Sequence, residues 1–194
     1  MSAPLREIFT IDLLGWSPWM PQATQTELPA ELREDVAAAV AEQKGNAYID
    51  VLCNDFETWK IRHLVHRHVY TSTEPGPTAL RELGATAASR INGCVFCASV
   101  HARMWAASIG DRTLPNRFLA DGAGADLPPT ERAIVDAAAL LTTDPESLTA
   151  AELEPLRAAG LDDIAMLDIL NYAAFFNNAN RLMLSLGEPV PARG

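Results

Sequence analysis

The chain has little sulfur and little positive charge. Among its 194 residues are three cysteines, four histidines, 15 Lys and Arg, and 25 Asp and Glu, for a formal net charge of −10. Binding to nucleic acid or to an anionic membrane needs a basic surface, which this composition does not supply. Three cysteines are also too few for the disulfide framework of a small secreted protein. We therefore expect small molecules or proteins as partners, no nucleic acid, and a cytoplasmic location.

Long uncharged apolar stretches are missing too. Glu7 and Asp12 interrupt the apolar residues of the N-terminus, which lacks the positive-then-apolar order of a signal peptide. Because no window of about 18 residues is both apolar and uncharged, we predict no membrane span. Hydrophobic residues nevertheless make up 48% of the chain, enough to bury a substantial core.

Strand-forming sequence is scarce. Runs of β-branched residues are short, Ala, Leu and Glu dominate, and apolar residues recur at three- and four-residue spacing. This pattern predicts an all-α protein without a strand. Residues 1–28, with Pro18 and Pro21, are predicted to form an N-terminal arm or lid, and residues 29–194 a single all-helical domain.

Capping residues, prolines and glycines bound the predicted helices. These helices span residues 29–44, 47–70, 78–91, 94–109, 130–141 and 162–186, and a short irregular helix starts near residue 149. Thr78 is a candidate N-cap, and Thr149 with Glu152 has the spacing of a capping box. Loops are predicted at 71–77 and around Pro115, and Gly110 is predicted to end a helix in the left-handed conformation.

The cysteines and histidines are concentrated in one short segment, in which Cys94, Cys97 and His101 lie within eight residues. At the start of a helix, Cys94 meets unpaired N–H groups and the positive end of the helix dipole, and both stabilise a thiolate. His101 lies four residues after Cys97, on the same helical face, and can accept its proton. The two arguments favour different sulfurs. The three-residue separation also permits a disulfide if Cys94 lies at a frayed helix start.

Glu82 lies twelve residues before Cys94, on the preceding predicted helix. The Asn92-Gly93 interruption lets that helix fold back beside the next one. The Glu82 carboxylate could then reach His101 or Cys97, directly or through a water molecule, as part of a proton shuttle.

The pattern of a glutamate, a Cys-x-x-Cys and a histidine over residues 82–101 resembles the alkylhydroperoxidase D-like branch of the carboxymuconolactone decarboxylase family. Residues 91–94 (INGC) and 99–101 (SVH) fit the helical core of that family. Residues 156–161 and 175–182 resemble the closing helices of its peroxidase-related members, so the likeness covers about residues 55–190.

The resemblance implies an all-α helical bundle with two similar halves, and a homo-oligomeric thiol peroxidase that needs neither cofactor nor metal. It implies that Cys97 attacks an organic hydroperoxide and becomes a sulfenic acid, which Cys94 converts to a disulfide. His101 and Glu82 would form the proton relay, and a dithiol electron donor would regenerate the pair.

One residue departs from the family pattern. Well-studied members carry a histidine between the two cysteines, where this chain has Phe96. The departure motivates a second hypothesis, in which the dithiol serves a disulfide reductase or a redox-sensing module. Phe96 and Trp105, which lies one turn after His101, are the aromatic candidates for lining a hydroperoxide pocket.

Two further hypotheses use the same residues differently. In a zinc-binding module, a histidine from the His63, His66 and His68 cluster would join the cysteines as a ligand, although a solvated or interface helix face explains the cluster more simply. A decarboxylase reaction would leave the cysteine pair without a task. Cys53 has no partner in the sequence and is predicted to be a small buried hydrophobe.

Overall fold

The computed structural model describes residues 7–71 and 78–192, and within them the chain is mainly helical, as predicted. The helices are α1 (Ala30–Glu42), α2 (Ala47–Leu52), α3 (Phe56–Thr71), α4 (Thr78–Ile91), α5 (Val95–Ile109), α6 (Thr113–Asp121), α7 (Pro129–Thr143), α8 (Ala150–Ala158) and α9 (Asp163–Leu186). Two short strands, β1 (Leu14–Pro18) and β2 (Gly187–Pro191), flank them. None of the helices described is long and apolar enough to cross a membrane.

Helix α4 forms the centre of the bundle and packs against α5, α7 and α9. Every residue from Arg81 to Ser89 is buried, and most of these side chains are small. At Gly84, an added Cβ would lie 3.2 Å from the side chain of Ile169 on α9, so glycine permits this close approach. The packing places Glu82 in the middle of the protein rather than on its surface.

A tight turn after α4 reverses the chain into α5. Gly93 adopts a φ of +79°, and the Cys94 N–H donates to the Ser89 carbonyl at 2.9 Å. Cys94 is therefore the N-cap residue of α5, and Cys97 lies within its first turn. Gly110 ends α5 in the left-handed conformation, as predicted.

The prediction of a strand-free chain is wrong. Strands β1 and β2 pair antiparallel, with Leu14 opposite Pro191 and Pro18 opposite Gly187. Five-residue strands that contain proline give a weak sequence signal, and a two-stranded ribbon depends on the packing beneath it. At Gly187, an added Cβ would collide with the Trp16 ring, so the ribbon requires glycine there.

Several helix boundaries also differ from the prediction. The loop predicted around Pro115 contains α6, because a proline in the first turn of a helix removes only an N–H that has no intrahelical partner. A 3-10 turn at Cys53–Asp55 separates α2 from α3. Thr78 is a helical residue of α4 rather than its cap. Residues 72–77 of the predicted loop lie outside the described residues.

The capping box predicted at the start of α8 does not form. Thr149 is the N-cap residue, but its side chain makes no capping hydrogen bond. Helix α8 still spans Ala150–Ala158, with Pro155 inside it. The two similar halves implied by the resemblance stay a prediction.

Candidate functional site

Glu82 and His101 form a buried hydrogen-bonded pair between α4 and α5. The Glu82 Oε2 atom lies 2.7 Å from His101 Nδ1, and both side chains are 2% exposed. Tyr172 of α9 donates its hydroxyl to Glu82 Oε1 at 2.8 Å, so both carboxylate oxygens are engaged. A carboxylate at Nδ1 favours the tautomer with its proton there. Nε2 is then the ring nitrogen that can exchange a proton with another group.

Cys97 and His101 line the same cavity, which has a volume of about 330 Å³. One helical turn separates them on α5, so they share a face of that helix. Phe96 also lines this cavity. The Cys97 Sγ atom lies 3.3 Å from Met183 Sδ on α9. A molecule in the cavity would therefore meet a thiol and an imidazole together.

Cys94 faces different surroundings. It lines a separate cavity of about 30 Å³, bounded by Trp16 of β1, Met183 and Gly187. Phe96 lines both cavities and thus lies between them. The Trp16 indole donates to the Met183 carbonyl at 3.3 Å, which ties the N-terminal segment to α9. Cys94 is buried beneath this segment.

The two thiols titrate as a pair. A hydrogen bond from the Cys97 side chain is the main cause of the lowered pKa of Cys94, and the N–H groups of Phe96 and Cys97 act in the same direction. The same hydrogen bond, together with burial, raises the pKa of Cys97 well above its usual range. In the resting dithiol, Cys94 is therefore the more acidic of the two thiols, chiefly because of its hydrogen bond with Cys97.

Asn180 interacts with both cysteine sulfurs, although no sequence motif singles it out. Its side chain lowers the pKa of both cysteines. It also donates to Ser89 Oγ at 3.1 Å and accepts a hydrogen bond from Asn92 Nδ2 at 3.0 Å, so it ties α9 to the turn before Cys94. An asparagine on the apolar side of a long helix is a signal for such a site, because buried amides need partners.

The histidine cluster of α3 is split between two environments. The His63 ring stacks on Trp59, with centroids 4.8 Å apart, and His68 is exposed. His66 instead lines the 330 Å³ cavity, against Phe175. The interpretation of the whole cluster as a solvated or interface face is therefore wrong for His66. Burial, with Arg62 as the next cause, lowers the pKa of His66 to about 4, so its ring is neutral near pH 7.

Trp105, expected in the pocket, lies in the core instead. It is buried edge-on against Phe118, with centroids 6.4 Å apart, and it is not among the residues that line the cavity around Cys97. Trp105 lies eight residues after Cys97. At 3.6 residues per turn, the two side chains point in directions about 80° apart around the helix axis. Trp105 therefore points away from the face of α5 that carries the thiol.

The remaining candidates lie outside the cavity. Cys53 is buried, and burial raises its pKa to about 12, which fits the inert role predicted for it. Within residues 7–71 and 78–192, no group of three or more His, Cys, Asp or Glu is arranged to hold a metal ion. The described residues therefore give the zinc hypothesis no support.

Comparisons with known proteins match this architecture. The model of the carboxymuconolactone decarboxylase family matches residues 62–110, a segment that contains both cysteines and the Glu82–His101 pair. Among curated proteins, no sequence matches this chain.

Two solved structures share the fold. One is the alkylhydroperoxidase AhpD core of an uncharacterized peroxidase-related protein from Ralstonia eutropha JMP134, with a TM-score of 0.68 and 21% identity over 82% of this chain and 84% of that one. The other is an uncharacterized peroxidase-related protein from Silicibacter sp. TM1040, with a TM-score of 0.72 and 23% identity over 89% and 93% of the two chains. The resemblance to the alkylhydroperoxidase D-like and carboxymuconolactone decarboxylase family is thereby confirmed.

Proposed function

We propose that this protein is a two-cysteine peroxidase that reduces organic hydroperoxides. The observation that carries the proposal is the cavity that Cys97 shares with His101. The Nδ1 atom of His101 is hydrogen-bonded to the buried Glu82 carboxylate. The two proteins of the same fold are described as peroxidase-related, which supports the same class of reaction.

In the first step, His101 takes the proton of Cys97, and the thiolate attacks the distal oxygen of the hydroperoxide. An S–O bond forms and the O–O bond breaks. The alkoxide leaves with a proton returned by His101, so the products are an alcohol and a sulfenic acid on Cys97. Glu82 stabilises the imidazolium that forms between the two proton transfers.

In the second step, Cys94 attacks the sulfenic sulfur of Cys97. A disulfide forms and water leaves. The lowered pKa of Cys94 suits it to this role, since the resolving group must be a thiolate. Two thiols supply the two electrons that reduce one hydroperoxide to one alcohol and one water. A dithiol donor then regenerates the pair by exchange.

A single-turnover experiment tests the proposal. Reduced protein is mixed with cumene hydroperoxide, and free thiols and cumyl alcohol are counted. We expect two thiols lost for each alcohol formed, and no alcohol above background with the Cys97→Ser variant. Unchanged turnover in that variant would refute the proposal. If a small disulfide oxidises the pair faster than the peroxide does, the protein is instead a disulfide reductase.

We also propose that the protein is a homo-oligomer. Ile61, Leu64 and Val65 form an apolar face on the outside of α3, where they are 68%, 66% and 49% exposed. A second copy would cover this face. Light scattering on the wild type and on Leu64→Glu should show an oligomer that the substitution weakens, whereas a monomeric wild type would rule out this assembly.

A further inference from the structure

Arg62 brings a cation into the cavity of Cys97. It lies on α3, and its guanidinium packs over the rings of Phe175 and Tyr48, at 4.8 Å and 5.5 Å from their centroids. Its Nη2 atom lies 3.4 Å from the Tyr48 hydroxyl. Its Nε atom is buried and has no hydrogen-bond partner among the described residues. The two aromatic rings hold the guanidinium in place but leave donors unused.

Among the described residues, Arg62 forms no ion pair. No carboxylate among those residues lies within 4.0 Å of Arg62. The Glu82 carboxylate is engaged by His101 and Tyr172. Burial raises the pKa of Tyr48 to about 12, so its hydroxyl carries no negative charge near pH 7.

The rest of the cavity is largely apolar. The apolar side chains that line the cavity are Ile49, Phe96, Val100, Phe175, Phe176, Ala179 and Met183. His66 is neutral near pH 7, which leaves Arg62 as the fixed positive charge among the lining residues. Such a cavity is complementary to a molecule with an apolar body and one anionic group. A carboxylate suits a guanidinium best, because it accepts two parallel N–H hydrogen bonds.

We infer that the substrate is an organic hydroperoxide that also carries a carboxylate, which Arg62 binds while the peroxide group meets Cys97. The inference rests on the proposed function, since it names the substrate class of the same site. A cavity of about 330 Å³ suits a compact hydroperoxy acid.

Arg62 also acts on the thiol itself, because its charge lowers the pKa of Cys97. An arginine that served only this purpose would speed the reaction of every hydroperoxide equally. Substrate recognition, in contrast, favours the acid over an uncharged analogue. The ratio of two rates therefore separates the two roles where a single rate does not.

The test compares para-carboxy-cumene hydroperoxide with its methyl ester. In the wild type, we expect kcat/KM for the acid to exceed that for the ester by about tenfold or more, as for a charge-assisted hydrogen-bonded pair. In Arg62→Met the ratio should fall to about one, and Arg62→Lys should retain part of the preference. Lys60→Met removes an exposed charge from the same helix and should keep the wild-type ratio.

Two results would overturn the inference: equal kcat/KM for acid and ester in the wild type, or a slowing of both by Arg62→Met with the ratio preserved. Circular dichroism spectra of the variants check that they fold. Calorimetry with the product alcohols supplies a readout that does not depend on turnover. If neither peroxide is consumed, the proposed function fails, and tighter binding of the carboxylate alcohol to wild type than to Arg62→Met still establishes the anion site. Equal binding to both proteins refutes that site.

Discussion

The two cysteines lie one helical turn apart, yet they face opposite conditions. Cys97 lines a cavity of about 330 Å³ with His101 and Arg62, and its thiol holds its proton tightly. Cys94 lines a cavity of about 30 Å³ beneath Trp16, and its pKa is lowered. Cys97 thus lines the larger cavity, whereas Cys94 is the more acidic thiol. This division suits a sequence of steps in which one sulfur meets the substrate and the more acidic one resolves the product.

The largest effect is expected from replacing each cysteine in turn, because the two variants should differ in oxidation rate and in oxidation product. Cys94→Ser should still reduce one equivalent of hydroperoxide and then hold a sulfenic acid on Cys97, because the resolving thiol is gone. Cys97→Ser should lose about 10³-fold or more of the oxidation rate. Dimedone labelling followed by mass spectrometry identifies the oxidised residue. A sulfenic acid trapped on Cys94 in the wild type would reverse the assignment.

A second prediction concerns the proposed proton relay, which serves Cys97. Glu82→Gln keeps the shape of the side chain but removes its charge, so peroxide reduction should slow by about 10²-fold. Tyr172→Phe removes the hydroxyl that donates to Glu82 Oε1 and should have a smaller effect. Stopped-flow measurement of thiol oxidation compares the variants, and a wild-type rate in Glu82→Gln would contradict the prediction.

A third prediction concerns how far Trp16 limits the access of reagents to Cys94. In Gly187→Ala the new methyl group collides with Trp16, which should lower the free energy of unfolding by about 1–3 kcal/mol and speed alkylation of Cys94. The control is Gly124→Ala, where the added Cβ meets nothing within 4 Å. Urea unfolding and iodoacetamide labelling measure the two effects. Unchanged labelling of Cys94 would show that Trp16 does not limit its access, and would argue against residues 1–28 as a lid.

The smallest expected effect is on the pH dependence of stability, and it comes from His66, the neutral histidine of the cavity. The pKa of His66 is lowered from 6.5 to about 4, so the unfolded chain binds more protons than the folded one between these values. Stability should therefore decrease as pH falls from 6.5 to 4. His66→Gln should reduce this decrease by about 1–2 kcal/mol, a figure discounted because the ring is partly exposed. Urea unfolding at several pH values measures it, and identical pH dependence in both proteins would contradict the prediction.

The helical bundle and the spacing of Cys97 and His101 were accessible from the sequence for a common reason. Helical periodicity is local, so α5 and α9 could be bounded to within about a residue or two from apolar spacing, Gly110 and Asp162. The relation of His101 to Cys97 also follows from the period of one helix. The short ribbon of β1 and β2 was missed because its pairing joins residues far apart in the chain.

The contacts that a side chain makes with other helices could not be predicted in the same way. Trp105 shares the four-residue spacing with His101, but the slow rotation of α5 carries it into the core. Arg62 looked like one more charge beside a histidine cluster, and Asn180 like one more amide in α9. Both became part of the site only through the packing of α3 on α9 and of α9 on α4.

The sequence alone determined the helical class, the Cys-x-x-Cys pair and the candidate partner His101, because these depend on spacing within single helices. Glu82 lies on the preceding helix, and the family resemblance made it a candidate. Tertiary structure decided that Glu82 contacts His101, that Cys94 and Cys97 face separate cavities, and that Arg62 brings its charge to one of them. Those features depend on distances between helices, which are set by side-chain packing and by close approaches such as that at Gly84.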